Sequence, residues 1–403
     1  MISKSYFTNF KYFFLIYLVF LFIVSFFQLY EKHTGGADST ISEWLINYQG
    51  GFIKRGIIGE IAFNLANILG QELRYIIYLF QVLLVFFYFL IIYIFLYQLK
   101  INYYYLFIIF SPIFILYPVA EVEVLARKEI FIFIGYIIFL YLCSNNKNKY
   151  DVVFIIFFLP ILSLIWEPVI FFSPFFVAPL LLKYSIKSFK KLIFLTLSFI
   201  PFLILSIFIA LNPISEENHL KMANSLMDNF GENCYMSCAL LLSKSKLIDQ
   251  FTYNFPKYSL EIFVRYFVII LIGFGPIFII SKNSYLKKNI IFFNKFKNLL
   301  FPFIILGSPM ILLFLMGSDW GRWVNITYTF TALFFIYLLK YKHIIAELDS
   351  LDIFFKKFKN YQLVILFVII CFSWNPKTSL TGDVASFPGY RIPYNFFKLV
   401  SNF

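Results

Sequence analysis

Asp151 to Lys183 reads DVVFIIFFLPILSLIWEPVIFFSPFFVAPLLLK, and the way this stretch crosses a membrane decides the topology of the whole chain. Between its two end charges lie 31 residues with a single ionisable group, Glu167, followed at once by Pro168. A continuous helix of that length would run about 46 Å, against a hydrocarbon core of about 30 Å. A single span would also move Lys183 to Lys191 and the basic loops after them to the opposite side. Two short helices meeting at Trp166, Glu167 and Pro168 avoid both difficulties, because proline can open the second helix without losing a hydrogen bond.

The rest of the chain agrees with a membrane protein. Of 403 residues, 61% are hydrophobic and 14% charged, with mean hydropathy +0.82; a soluble globular chain carries about 25% charged residues. Phe (58) and Tyr (29) bring the aromatic share to 23%, which suits lipid contact and interfacial belts but fits AT-rich coding sequence equally well. Eleven apolar segments follow, at 11–30, 76–97, 103–120, 130–144, 152–166, 169–182, 192–211, 260–281, 299–317, 324–339 and 361–374. The expected class is therefore all-α: one polytopic transmembrane domain, 1–403, of about 11 helices. Its larger extracytoplasmic loops are 31–75 and 212–258, with an extracytoplasmic tail at 375–403. The first apolar segment lacks a small-residue cleavage site and reads as a retained helix.

Charge tests that topology. The net +13 would point to nucleic acid in a soluble protein, but a polytopic protein concentrates cations in its cytoplasmic loops. With the amino terminus inside, every cation of the inner segments is lysine. All six arginines, Arg55, Arg74, Arg127, Arg265, Arg322 and Arg391, fall outside or near an outer helix end. Several helices are short, so the outer turns joining them should form a recess open to the periplasm of the bacterial inner membrane.

Four groups of residues there can carry chemistry. Gly50 and Gly51 precede Lys54 and Arg55; paired glycines allow close backbone approach to a ligand while two cations meet a phosphate. The competing view is an interfacial segment with snorkelling cations, since Ile57, Ile58, Ile61 and Ala62 give it an apolar face. Glu123, Arg127, Lys128 and Glu129 join the third and fourth helices, and the i,i+4 spacing of Glu123 and Arg127 allows a plain helix-end ion pair. Glu167 is an intramembrane carboxylate at a helix break, where burial raises its pKa towards a useful general base or an arginine ties it down. Asp319, Trp320, Arg322 and Trp323 form a glycine-bounded turn whose tryptophans could stack on sugars or anchor at the interface. Arg265, about six residues into the eighth helix, is a further cation that could meet Glu167, Asp319 or a phosphate.

Nucleotide, dinucleotide, zinc-protease and serine-hydrolase motifs are missing, and no metal or cofactor is expected. His33, His219 and His343 are scattered. Cys143 and Cys371 lie in apolar segments, whereas Cys234 and Cys238 share an outer loop and could pair in an oxidising compartment.

NYQGGFIKRGIIGE (Asn47 to Glu60), the triplet Arg127, Lys128, Glu129, the pair Trp166, Glu167 and the run Asp319 to Trp323 together resemble a group of bacterial polysaccharide-locus membrane proteins. Many of these are described as O-antigen or capsule repeat-unit polymerases. The resemblance covers most of the helical chain through short motifs. Where the group often carries histidine before the glutamate this chain has Trp166, so that histidine's role does not carry over. The resemblance implies a glycosyltransferase that joins undecaprenyl-pyrophosphate-linked oligosaccharides on the periplasmic face in lipopolysaccharide or capsule biosynthesis, with a chain-length regulator as partner and no nucleic acid. Lys54, Arg55, Arg127, Lys128, Arg265 and Arg322 would form its cationic clamp, Glu167 and then Asp319 its base, and Trp320 a sugar contact. Rival assignments are a GT-C-type transferase using polyprenyl-phosphate sugar, with Asp38, Glu43 or Glu60 as its acid, and a lipid-linked oligosaccharide flippase. Transporters usually show internal repeats, and none is visible here.

Overall fold

In the computed structural model Asp151 and Lys183 meet: Lys183 Nζ lies 2.7 Å from Asp151 Oδ1, both side chains are buried, and the Tyr184 hydroxyl donates to the same oxygen. The stretch between them therefore folds back on itself, as its length and its proline require. Residues described by the structure are 10–99, 102–145, 149–185, 189–243, 247–287, 293–348 and 351–380 apart from 352 and 354. Most of the expected tail, 381–403 with Arg391, lies outside the described residues.

The chain is 75% helical and all-α, with one small antiparallel ribbon pairing Ser284–Leu286 with Ile344–Ala346. The elements that position the site are α1 (Phe10–Gly35), α2 (Ser39–Ser42), α3 (Gly56–Leu69), α4 (Leu73–Leu96), α5 (Glu129–Ser144), α6 (Tyr150–Ile165), α7 (Ser173–Lys183), α8 (Glu216–Phe230), α9 (Leu260–Lys282), α10 (Leu300–Met316) and α11 (Trp320–Lys340). Four of these, α1, α4, α9 and α11, are long and apolar enough to cross a membrane; Ile200–Leu211 with α8, bent by 94°, would make a fifth. Helical turns fall in all eleven apolar segments, but many are short. Prolines divide them: Pro118, Pro168 and Pro174 each stand at the start of a helical piece, where a missing N–H costs nothing, and Pro160 lies inside α6 just after its π-helical turn.

Polar residues set the boundaries. The Asp38 carboxylate accepts from Thr40 N at the start of α2, and Ser215 and Ser259 cap α8 and α9 in the same way. Gly70 and Gly231 end α3 and α8 in left-handed conformation.

Helix α11 is the hub, with 83% of its most apolar window buried. Phe330 on it stacks on Phe172 at 4.6 Å and packs on Tyr136 of α5 at 4.7 Å. Offset aromatic pairs of this kind contribute about 0.5–1.5 kcal/mol beyond area burial. Such ring-on-ring packing replaces the aliphatic interdigitation that a less phenylalanine-rich helical protein would use.

The loop before α3 is held by backbone proximity. A Cβ on Gly59 would lie 2.0 Å from the Ile46 carbonyl oxygen and 2.6 Å from that of Trp44, whereas a Cβ on Gly275, inside α9, would meet nothing within 4 Å. Gly59→Ala should therefore destabilise the purified protein by about 1–3 kcal/mol through overpacking, and Gly275→Ala should leave it unchanged or slightly stabler. Thermal unfolding in detergent reads both, and equal midpoints for the two variants would refute the close approach.

A candidate anion site built on a buried arginine network

The residues singled out in four separate stretches converge. Glu43, one residue past α2, is fully buried and sits among three arginines: Arg127 Nε donates to Oε2 at 3.0 Å, Arg55 Nη1 to Oε1 at 3.2 Å, and Arg322 Nη2 stands 4.0 Å from Oε1. Arg322 donates to Glu129 from Nε and from the same Nη2, both at 2.7 Å, and its Nη1 lies 3.4 Å from Asp319 Oδ2. Arg127 reaches the same Asp319 oxygen at 3.8 Å. Arg55 donates to Glu167 from Nε at 2.7 Å and Nη2 at 2.8 Å, with Lys54 3.8 Å from that carboxylate. Lys128 Nζ donates to the Arg55 carbonyl at 2.5 Å.

Local structure explains the convergence. Helices α3, α5, α11 and the 3-10 turn Glu167–Phe172 all begin beside a member of the network, so four positive helix ends share one region with five cations. A cation at a helix N-terminus is disfavoured, and Arg322 is tolerated there because Glu129 and Asp319 neutralise it. Arg55 and Ala126, which flank the network's turns, take left-handed backbone angles (φ 65° and 53°) unusual for residues other than glycine. Trp44 fixes the second of these turns by donating its indole N–H to the Ala126 carbonyl at 2.9 Å.

The network has a sealed floor and an open rim. Glu43, Arg322, Glu129, Arg127 and Lys128 are buried, whereas the side chains of Arg55, Glu167, Lys54 and Asp319 are 19, 21, 23 and 32% exposed. Burial pushes the Glu43 carboxyl up, but Arg127, Arg322, Arg55 and Lys128 outweigh it and hold the group well below the usual carboxylate range. Burial pushes Lys128 down to about 7, with Arg55 adding to the shift and Glu43 and Glu167 opposing it. For Glu167 the second of its two sequence readings, an arginine tying it down, is the one observed. Burial does raise its pKa, but the Arg55 fork and Lys54 lower it further, so the carboxyl is held below its ordinary value rather than poised as a base.

Other expectations change for equally physical reasons. Arg127 pairs with Glu43 and Asp319 rather than with Glu123, because Glu123 belongs to a separate 3-10 turn and the left-handed Ala126 intervenes. Arg265 donates to Glu261 at 2.6 Å, one helical turn away, and has no ion pair to the network among the described residues. Trp320 is 4% exposed: Tyr258, Phe263, Tyr266 and Phe314 surround its ring, and its indole N–H goes to the Phe314 carbonyl at 2.7 Å. As packed, it braces α11 rather than facing a ligand. The space beside Gly50 is filled by Asn218 of α8, whose carbonyl would lie 1.9 Å from an added Cβ. Asp38 is used in capping α2 and pairing Lys32, and Glu60 in binding Tyr48 N and the Gln49 amide.

Two residues of the floor, Glu43 and Glu129, were not assigned a role by the clamp expected from the motifs. The available signal was arithmetic: five cations in adjoining motifs need buried counter-charges. Beside Arg322 stand two tryptophans, with ring centroids 6.0 Å (Trp166) and 5.2 Å (Trp323) from its guanidinium carbon. Both indole N–H groups are buried and meet no acceptor among the described residues. Away from the network, Cys234 and Cys238 form a disulfide, with His219 Nε2 3.4 Å from Cys234 Sγ. Ser237 N donates to Ser42 Oγ at 3.0 Å, tying this loop to the residue before Glu43.

No protein-family model, curated protein or solved structure matches the chain.

Removing one partner from a buried ion network costs about 3–5 kcal/mol, so Glu43→Gln should lower thermal stability by that order and more than Asp319→Asn on the rim. Lys128 supplies a pH test. Its folded pKa of about 7 lies below its unfolded value of about 10.4. Between those values the unfolded chain holds the extra proton, so stability should rise with pH by up to about 1.4 kcal/mol per unit. In Lys128→Met that rise between pH 7 and 10 should shrink. An unchanged slope would show that Lys128 is not buried as described.

Proposed function

We propose that this chain is a membrane glycosyltransferase that polymerises undecaprenyl-pyrophosphate-linked oligosaccharide repeat units, in O-antigen or capsule synthesis, at the periplasmic face of the bacterial inner membrane. The observation that carries the reading is the partly exposed rim of Lys54, Arg55, Glu167 and Asp319 above a buried floor of paired arginines and glutamates. The motif resemblance supports the same class. In the proposed topology the amino terminus is cytoplasmic, and the shorter helices complete about 11 crossings where the protein and its neighbours thin the bilayer. The lysine-rich loops then face the cytoplasm and the network faces out.

The reaction needs three services. The acceptor hydroxyl loses a proton as its oxygen attacks the anomeric carbon of the donor oligosaccharide. The anomeric carbon–oxygen bond breaks, and its electron pair leaves with the lipid pyrophosphate. Lys54 and Arg55 are placed to neutralise that pyrophosphate, with the buried Arg127, Lys128 and Arg322 adding positive potential from behind. Asp319 suits the proton acceptor better than Glu167: it is the most exposed carboxylate of the network, and its two arginine contacts, at 3.4 and 3.8 Å, are long. Trp166 and Trp323 pack behind the rim against the Arg322 guanidinium and help to hold it in place.

A clean deletion should leave single repeat units on the glycolipid. Incomplete units would favour the single-sugar transferase, and units accumulating on the cytoplasmic leaflet the flippase; a normal long-chain ladder would sink the polymerase reading. Asp319→Asn should reduce polymer by roughly 10²–10⁴-fold with membrane insertion intact, and full activity in that variant would remove Asp319 from the chemistry.

A further inference from the structure

Two Arg–Glu forks of the same geometry occupy this network, and they differ in one respect. Arg322 grips Glu129 with both contacts at 2.7 Å, and the pair is sealed, at 2% and 1% exposure. Arg55 grips Glu167 at 2.7 and 2.8 Å, yet both side chains reach solvent. A permanent structural pair has no need of that opening.

We infer that the Glu167 carboxylate is a place-holder: it sits on the Arg55 fork where a phosphate group of the substrate binds, and the incoming phosphate displaces it. The inference rests on the proposed phosphate-binding role of the rim and goes beyond it by giving Glu167 a part other than base. A guanidinium edge made of Nε and one Nη accepts carboxylate and phosphate oxygens with the same two-pronged fit. Phosphate brings more charge and a third acceptor oxygen, and Lys54, 3.8 Å from Glu167, is near enough to meet that oxygen after a small move.

Arg55 would keep its position through the exchange. Its remaining nitrogen, Nη1, is bound to the buried Glu43, and its carbonyl is held by Lys128. Only the edge facing Glu167 changes partner. Glu167 itself can leave, because Trp166 before it is extended (φ −154°, ψ 95°) and Glu167 opens a 3-10 turn rather than sitting inside a helix. Its charge in the resting state is maintained by the same cations, which hold its pKa below the ordinary value. The seat is thus filled by a tethered anion when substrate is absent, and five cations are not left facing one another.

The chemistry recognised is a phosphate oxyanion, whether free or on a lipid. Inorganic pyrophosphate and farnesyl pyrophosphate should be titrated separately into full-length, detergent-solubilised protein by calorimetry. Freeing a seat that is filled nine times in ten raises apparent affinity about tenfold. Glu167→Gln should therefore bind about tenfold tighter than wild type, and Glu167→Asp, which keeps the charge but is one methylene too short for the fork, should also tighten. Glu217→Gln removes an exposed charge of α8, paired with Lys221 and outside the network, and should change affinity by less than about twofold. A gain with both probes assigns the seat to the phosphate alone; a gain only with farnesyl pyrophosphate assigns it to the lipid-borne group. Glu167 variants that bind no tighter than wild type would overturn the exchange while leaving a phosphate site standing, as would an equal gain in Glu217→Gln. Failure of every form to bind either probe would remove the phosphate site, and the exchange with it.

Discussion

Everything at the functional end of the molecule depends on keeping the Glu43 carboxylate ionised where water does not reach. A bare carboxylate is costly in such a place. Arg55, Arg127 and Arg322 offset that cost, and each arrives from a different part of the chain: the first loop, the turn before α5, and the start of α11. The requirement runs both ways, because three guanidinium groups could not approach one another without an anion between them. One buried acid thus fixes the mutual placement of three segments more than seventy residues apart in sequence from first to second, and nearly two hundred from second to third.

Helix polarity reinforces this arrangement and also limits it. Four helical pieces begin at the network, so their positive ends add to the field of five cations. Glu129 and Glu167 each open a helical piece, the favourable position for an acid. Among the described residues four carboxylates stand against four permanent cations and Lys128, whose pKa is pushed down to about 7, so the balance of the region shifts with the Lys128 proton. Such a balance suits the proposed exchange of one anion for another.

The division between what is legible in the sequence and what is not follows from range. The fold-back at Glu167 is legible because a lone charge beside proline in 31 apolar residues is a local signal, and Asp151 and Lys183 duly meet. The four charged stretches of the site stand out for the same reason. Their wiring does not: Asp38, Glu43 and Glu60 are three acids in one polar loop, and only the remote Arg127 and Arg322 single out Glu43. Trp320 belongs with the interface anchors by local rules, and its burial comes from Tyr258, Phe263 and Tyr266, some sixty residues earlier. Arg265 is a case where a local rule was available, since Glu261 stands four residues before it. Hydropathy finds eleven apolar segments but not helix lengths, because prolines and extended residues such as Trp166 cut those segments into pieces; among the described residues four helices reach spanning length alone.

The doubled stretch from α6 to α7 has a mechanical character that its ends impose. At its feet the buried Asp151–Lys183 contact clamps the two limbs together, and at its crown Glu167 is bolted to Arg55. Between foot and crown, α6 contains a π-helical segment at Phe154–Phe158, where the backbone carries a wider, less regular turn. A hairpin clamped at its base and released at its tip behaves as a cantilever, and the compliant stretch of such a beam is where its winding is irregular. Movement of the crown would therefore be shared between the hairpin's first limb and α11, on which Phe172 of the crown turn stacks through Phe330.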